Sequence, residues 1–121
     1  MLCSLENPQS KTSMAGESEL EKKITSFAEF GGCYVRKFIS HHVGVPDRII
    51  SKELTLFLEV KDFGEKPSSM QLDEISIICR TGGFATWVDN HADAVQVIQW
   101  VLANRADKLR RECKKRNYWM K

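Results

Sequence analysis

Three residues near the middle of the chain combine types and spacing suited to chemistry on a phosphate. Asp47 follows Gly44-Val45-Pro46; twelve residues on, Glu59 and Lys61 close the run Leu54-Thr55-Leu56-Phe57-Leu58-Glu59-Val60-Lys61. Each sits at the end of an apolar strand, so folding gathers charge at one sheet edge, where an unpaired buried charge is costly. Mg²⁺ resolves that cost: Asp47 and Glu59 can bind it through carboxylate oxygens, the main-chain carbonyl of Val60 adds a third oxygen, and waters complete an octahedron. Such an ion would make a water more acidic and neutralise charge building on a scissile phosphate. Lys61, on the same strand face as Glu59, is placed to orient the attacking water or help deprotonate it. The reaction this points to is hydrolysis of a DNA phosphodiester. Glu-x-Lys on a strand, taken by itself, reads more readily as a cross-strand ion pair; the Pro-Asp upstream, on its own short strand, turns the balance to the metal site.

The elements that must position these residues are legible in the spacing of apolar side chains. Leu20, Ile24, Phe27 and Phe30 recur every three or four residues, which predicts a helix over 17–30 stopped by Gly31-Gly32. Strands are expected at 33–38, 48–51 and 54–61. In the last of these, Leu54, Leu56, Leu58 and Val60 share one face, and Thr55, Phe57, Glu59 and Lys61 the other. Ser68 caps a helix running to about Arg80 with Leu72, Ile75 and Cys79 inward, and Gly82-Gly83 ends it. A strand at 84–88 follows, then a helix from Asn90 or His91 with Ala94, Val95, Ile98, Val101 and Leu102 facing in and its basic end merging with the tail. The order α-β-β-β-α-β-α predicts an α/β fold with one central mixed sheet flanked by helices, and the strand, helix, strand unit at 54–88 a parallel, right-handed crossover.

With 121 residues, 42% of them apolar and 28% charged, the chain suits one ordinary folded domain. We divide it into a loose leader at 1–16, within which Met14 could be the natural start, a domain at 17–104 and a basic end at 105–121. No apolar run approaches a membrane span, and the start lacks a secretory pattern, so the expected location is the cytoplasm, with no membrane partner. Cys3, Cys33, Cys79 and Cys113 stand singly, as suits reduced thiols rather than a disulfide framework or zinc cluster. The net charge of +2 hides an asymmetry: residues 105–121 hold eight Lys/Arg against Asp107 and Glu112, net +6, and the remainder is −4. A basic end on an acidic body suits contact with a polyanion; it suits equally a helix end whose cations face the negative end of the dipole.

Gly44-Val45-Pro46-Asp47-Arg48-Ile49-Ile50, then Leu58-Glu59-Val60-Lys61, then Gln71 within the next helix and Gly82-Gly83 after it together resemble the virus-type replication-repair nuclease (VRR-NUC) domain, over roughly residues 17–95. The resemblance implies a restriction-endonuclease-like PD-(D/E)xK core, Mg²⁺ or Mn²⁺ as cofactor, branched DNA as partner, and a homodimer of the standalone phage type that resolves Holliday junctions, in the host cytoplasm if phage-encoded. It implies further that an acidic residue of the first helix helps hold metal or water. Glu21, on the face of Ile24 and Ala28, is the first choice and Glu17 the reserve. Gln71 matches a glutamine near the family's active site, although Ser68-x-x-Gln71 is also a capping box. Ser40-His41-His42-Val43 departs from the Gly, Pro and basic residues more usual in that loop. Lys37 and Arg48 flank the acidic centre as candidate phosphate contacts or, equally, as partners of a nearby carboxylate, and Ser69, Lys114 and Lys115 are further candidates for DNA contact. Trp100 reads as core or interface, and Tyr118 and Trp119 as a possible docking point or a loose end. A flap or nicking nuclease, and a DNA-binding module that no longer cleaves, stay open as alternative functions.

Overall fold

The computed structural model describes residues 17–115 except Phe38, so the leader, Cys3, Met14, Tyr118, Trp119 and the last basic residues lie outside the described residues. The elements are α1 (Glu19–Phe30), β1 (Tyr34–Lys37), β2 (Arg48–Ser51), β3 (Thr55–Val60), α2 (Ser69–Arg80), β4 (Phe84–Val88), α3 (His91–Leu102) and α4 (Ala106–Lys115). They form one four-stranded sheet in the order β1-β2-β3-β4. The β1–β2 and β2–β3 pairs are antiparallel and β3–β4 is parallel, which is the expected mixed sheet and parallel crossover.

Strand alternation decides what each sheet face buries. Val35, Ile50, Leu56, Leu58 and Val88 point to one side and pack on Ile24 and Ala28 of α1 and on Ala94, Val97, Ile98 and Val101 of α3, with Leu109 of α4 joining them. Each fully buried Val, Leu or Ile among these contributes about 1.5–3 kcal/mol. On the opposite side Ala85 meets Ile75 and Cys79 of α2 and Cys113 of α4, with Phe57, Leu72, Ile78 and Trp87 packed around them. Trp100 packs against the larger core, as one of its two expected roles has it.

Local chemistry sets the helix ends. Ser18 caps α1 and Ser68 caps α2, each through a full capping box with Glu21 and Gln71 respectively, and the Asn90 side chain caps α3. The expected merging of the last helix with the basic end is corrected here. The chain breaks at Ala103–Arg105, where Asn104 takes a left-handed conformation (φ 57°), and restarts as α4. That helix belongs to the core: Leu109, Glu112 and Cys113 are buried, and the Arg110 guanidinium donates to the carbonyls of Cys79 (3.2 Å), Gly82 (3.0 Å) and Gly83 (2.8 Å) while lying over the Phe84 ring. Cys33, Cys79 and Cys113 are buried free thiols, and the last two bring their sulfurs within 2.7 Å, joining α2 to α4. Among the described residues no helix is long and apolar enough to cross a membrane.

Candidate active site

The carboxylates meet because β2 and β3 run antiparallel. Arg48 pairs with Leu58, so Asp47, one residue before, falls beside Glu59. Both lie on the face toward α2, opposite to Arg48 and Leu58. The segment before Asp47 is drawn against the N-terminus of α2 by Gly44, whose φ of +95° and position only 2.7 Å from the Met70 carbonyl, measured from where a Cβ would stand, leave no room for a side chain. Pro46 is buried, and His42 Nε2 lies 2.9 Å from the Glu74 carboxylate on α2, which further ties this loop down. Both His41 and His42 are nonetheless exposed.

Glu59 bears the strain of this meeting. Its pKa is pushed up to about 7, first by burial and then by the charges of Asp47 and Glu21; Lys61 and the Asp47 main-chain amide pull the other way. Gln71 Nε2 donates to Glu59 Oε2 at 3.2 Å. The same side chain's Oε1 accepts the Ser68 amide at 2.9 Å and lies 3.5 Å from Lys61 Nζ. Capping thereby fixes which end of the amide faces Glu59, since Oε1 is committed to an N–H donor. The two readings of Gln71 turn out to be compatible: it closes the start of α2 and reaches the carboxylate with its other end.

Glu21 is also a capping residue, its Oε1 accepting the Ser18 amide at 2.9 Å, while its Oε2 lies 3.4 Å from Arg48 Nη2. Glu17 Oε2 takes the closer contact with Arg48, at 2.8 Å. Of the two roles open to Arg48, pairing with a carboxylate is the one found, and phosphate contact is corrected. Its side chain is 1% exposed and its charge is spent on two carboxylates. Reading β2 by alternation carries the signal that was missed, because Arg48 shares the face of buried Ile50. Lys37 is exposed at the end of β1 and, being paired with Arg48, shares that residue's sheet face, opposite to Asp47 and Glu59, which corrects its expected place beside the acidic centre; Ser69 is exposed in the first turn of α2, two residues from Gln71. Lys114 and Lys115 are exposed but stand apart, beside Cys113 and hence near Cys79 in the last turn of α2, away from Gln71 at its start.

The donor set can be weighed against a metal. Among the described residues no group of three or more His, Cys, Asp or Glu side chains gathers to hold one, which excludes a closed His/Cys centre there and leaves Glu21 outside the Asp47–Glu59 pair. Two adjacent carboxylates, one pushed up by burial and by the other's charge, still suit a hard cation that keeps much of its water and takes one or two protein carboxylates. Val60, whose carbonyl is the expected third oxygen, ends β3 directly after Glu59.

A mixed sheet between two helical layers, with an acidic pair and a lysine at the tip of its central strands, defines a PD-(D/E)xK nuclease-like fold. The particular form is that of the VRR-NUC domain: a solved structure described as a VRR_NUC domain superposes with a TM-score of 0.61 at 26% identity, covering 66% of this chain and 90% of its own. That likeness supports a nuclease-type function. The sequence matches no family model and no curated protein.

Proposed function

We propose that this chain is a Mg²⁺- or Mn²⁺-dependent endonuclease that hydrolyses phosphodiester bonds in branched DNA, working as a homodimer that nicks two strands of a four-way junction. The observation that carries this reading is Glu59, held half-buried beside Asp47 by Gln71, with Lys61 at the rim, on a VRR-NUC fold. Two carboxylates so placed cost stability by themselves, and a divalent ion held by Asp47, Glu59 and the Val60 carbonyl offsets that cost. When bound, such an ion supplies charge neutralisation at the scissile phosphate and a more acidic water.

The remaining work falls to the chain's own groups. Gln71 orients Glu59 through the bond to Oε2. Lys61 donates to the attacking water or to a phosphate oxygen, positioning one against the other. Ser69, in the first turn of α2 near Gln71, contacts the backbone of the bound strand, and Lys37, on the other sheet face, with Lys114 and Lys115 extends the footprint. A two-fold pair of sites matches the symmetry of a four-way junction.

The test compares cleavage of a junction, a flap and a plain duplex with Mg²⁺, Mn²⁺ or chelator, for wild type, Asp47→Ala, Glu59→Ala and Lys61→Ala. We expect metal-dependent cutting fastest on the junction, lost in both carboxylate variants. Lys61→Ala should still bind Mn²⁺ and DNA while losing most turnover. Junctions cut no faster than duplex point to the flap or nicking alternative, and DNA binding without cutting points to a non-cleaving module. Equal cutting by wild type and the carboxylate variants ends this assignment, and a solution mass of one subunit with and without DNA removes the dimer.

A further inference from the structure

Cys79 and Cys113 take no part in the site proposed above and lie toward the other end of α2 from Gln71. Cys79 is in the last turn of α2 and Cys113 in the last turn of α4, 0% and 2% exposed, with Ile75, Ala85, Phe57 and Trp87 packed around them. Their sulfurs share a hydrogen bond at 2.7 Å, and the Cys79 sulfur also lies 3.3 Å from the Ala85 carbonyl. Arg110, one turn before Cys113, donates to the Cys79 carbonyl at 3.2 Å, which sets a positive charge beside the pair. The Cys113 thiol is held down, to about 7, first by the hydrogen bond with Cys79 and also by Arg110, against burial and the charge of Glu112; the same contact, with burial, pushes the Cys79 thiol up. One sulfur is thus prepared as a nucleophile while the other keeps its proton. Cys33 is buried too, but in the larger core on the opposite side of the sheet.

We infer that Cys79 and Cys113 form an oxidisable dithiol, a modification site that reacts with a small hydroperoxide and closes to a disulfide bolting the last turn of α2 to that of α4. The two sulfurs already touch, so a small turn of each side chain brings them to bonding distance. The Cys113 sulfur attacks one peroxide oxygen, the O–O bond breaks, and the other oxygen leaves as water, which makes Cys113 a sulfenic acid. The Cys79 sulfur then displaces that hydroxyl as a second water, its own proton leaving with it, and the S–S bond forms. Two thiols and one hydrogen peroxide become one disulfide and two waters, with the sulfurs oxidised and the peroxide reduced. Burial selects the oxidant, since it admits a molecule little larger than water and holds off a bulky disulfide such as oxidised glutathione. The bond joins residues 34 apart and so encloses β4 and α3, which limits the freedom of the unfolded chain. None of this depends on the nuclease reading.

The experiment treats the fully reduced, folded full chain with hydrogen peroxide in chelator, removes the oxidant, counts free thiols after denaturation, and maps linked peptides by mass spectrometry. We expect two of the four thiols to be lost, with one non-reduced peptide joining Cys79 to Cys113. Urea unfolding without reductant should show the unfolded-to-folded ratio lowered about a hundredfold. Dithiothreitol should restore the reduced protein's value, which separates the disulfide from methionine oxidation, because that thiol does not reverse the latter. Cys79→Ala and Cys113→Ala should yield no linked peptide and gain no stability from peroxide. If either variant does not fold, the wild-type peptide map decides by itself. Oxidised glutathione at the same concentration and time should leave both thiols free. Four thiols remaining after peroxide, Cys33 oxidised as fast as the pair, a sulfinic acid at Cys113 in place of the link, or a gain of stability in either variant overturns the inference. Faster closure with glutathione than with peroxide overturns the choice of oxidant.

Discussion

Replacing Glu59 with Gln in the absence of divalent ions should make the protein more stable at pH 8 while abolishing its response to Mn²⁺. The Glu59 carboxyl is raised from 4.5 to about 7, chiefly by burial and by Asp47. A carboxyl raised in the folded state favours folding fully below its unfolded pKa, and that contribution drains away as pH climbs through the folded value. At 1.36 kcal/mol per pH unit the shift corresponds to about 3.4 kcal/mol, and partial exposure of the group reduces this to about 1.5 kcal/mol. Gln is nearly the same shape, can still accept from Gln71, and carries no charge toward Asp47. Urea unfolding of both proteins in chelator at pH 5, 6, 7 and 8 gives the difference between them, in which other titrating groups cancel. We expect the smallest difference at pH 5 and an advantage of about 1.5 kcal/mol for Glu59→Gln at pH 8, most of it already present by pH 7 because it builds between the unfolded and folded values of the carboxyl. Added Mn²⁺ at pH 8 should stabilise wild type and leave the variant unmoved. A difference that stays flat from pH 5 to 8 would refute the argument, since it would mean that Glu59 does not bear the burial and repulsion assigned to it.

Gly44→Ala should cost about 2 kcal/mol or more in urea unfolding, because it combines a positive φ with a clash against the Met70 carbonyl. Ser68→Ala removes the cap of α2 and should cost about 1 kcal/mol by the same measurement. Arg110→Met keeps packing over Phe84 but frees three carbonyls at the end of α2, for a loss of about 1–3 kcal/mol in thermal unfolding. Lys114→Ala with Lys115→Ala should weaken DNA binding most at low salt and reduce the slope of log affinity against log salt by about 2, read by fluorescence anisotropy. An unchanged slope would remove both lysines from the footprint.

Much of the architecture was readable from apolar spacing. The strands at Arg48–Ser51 and Phe84–Val88 fall where alternation and the flanking glycines place them, and Ser68 caps α2 as its residue type implies. The juxtaposition of Asp47 with Glu59 was also within reach, because both stand at strand ends and the pairing register does the rest. What escaped depended on partners distant in the chain. Arg48 finds Glu17 and Glu21 only after α1 folds across the sheet, so alternation with Ile50 marks its buried face but not the partners it meets there. The break before α4 has no Pro or Gly to announce it; it rests on Asn104 accepting a left-handed conformation, so periodicity alone ran the two helices together. Cys79 and Cys113 likewise looked solitary until tertiary packing of α4 brought them together.

The parts that converge on Glu59 come from α1, the loop before β2, β3 itself and α2, and the parallel β3–β4 pair requires the whole crossover between them. A nascent or half-melted chain therefore holds the ingredients without the arrangement. Any reaction this cluster serves switches on together with global folding, and a damaged copy falls silent instead of acting indiscriminately.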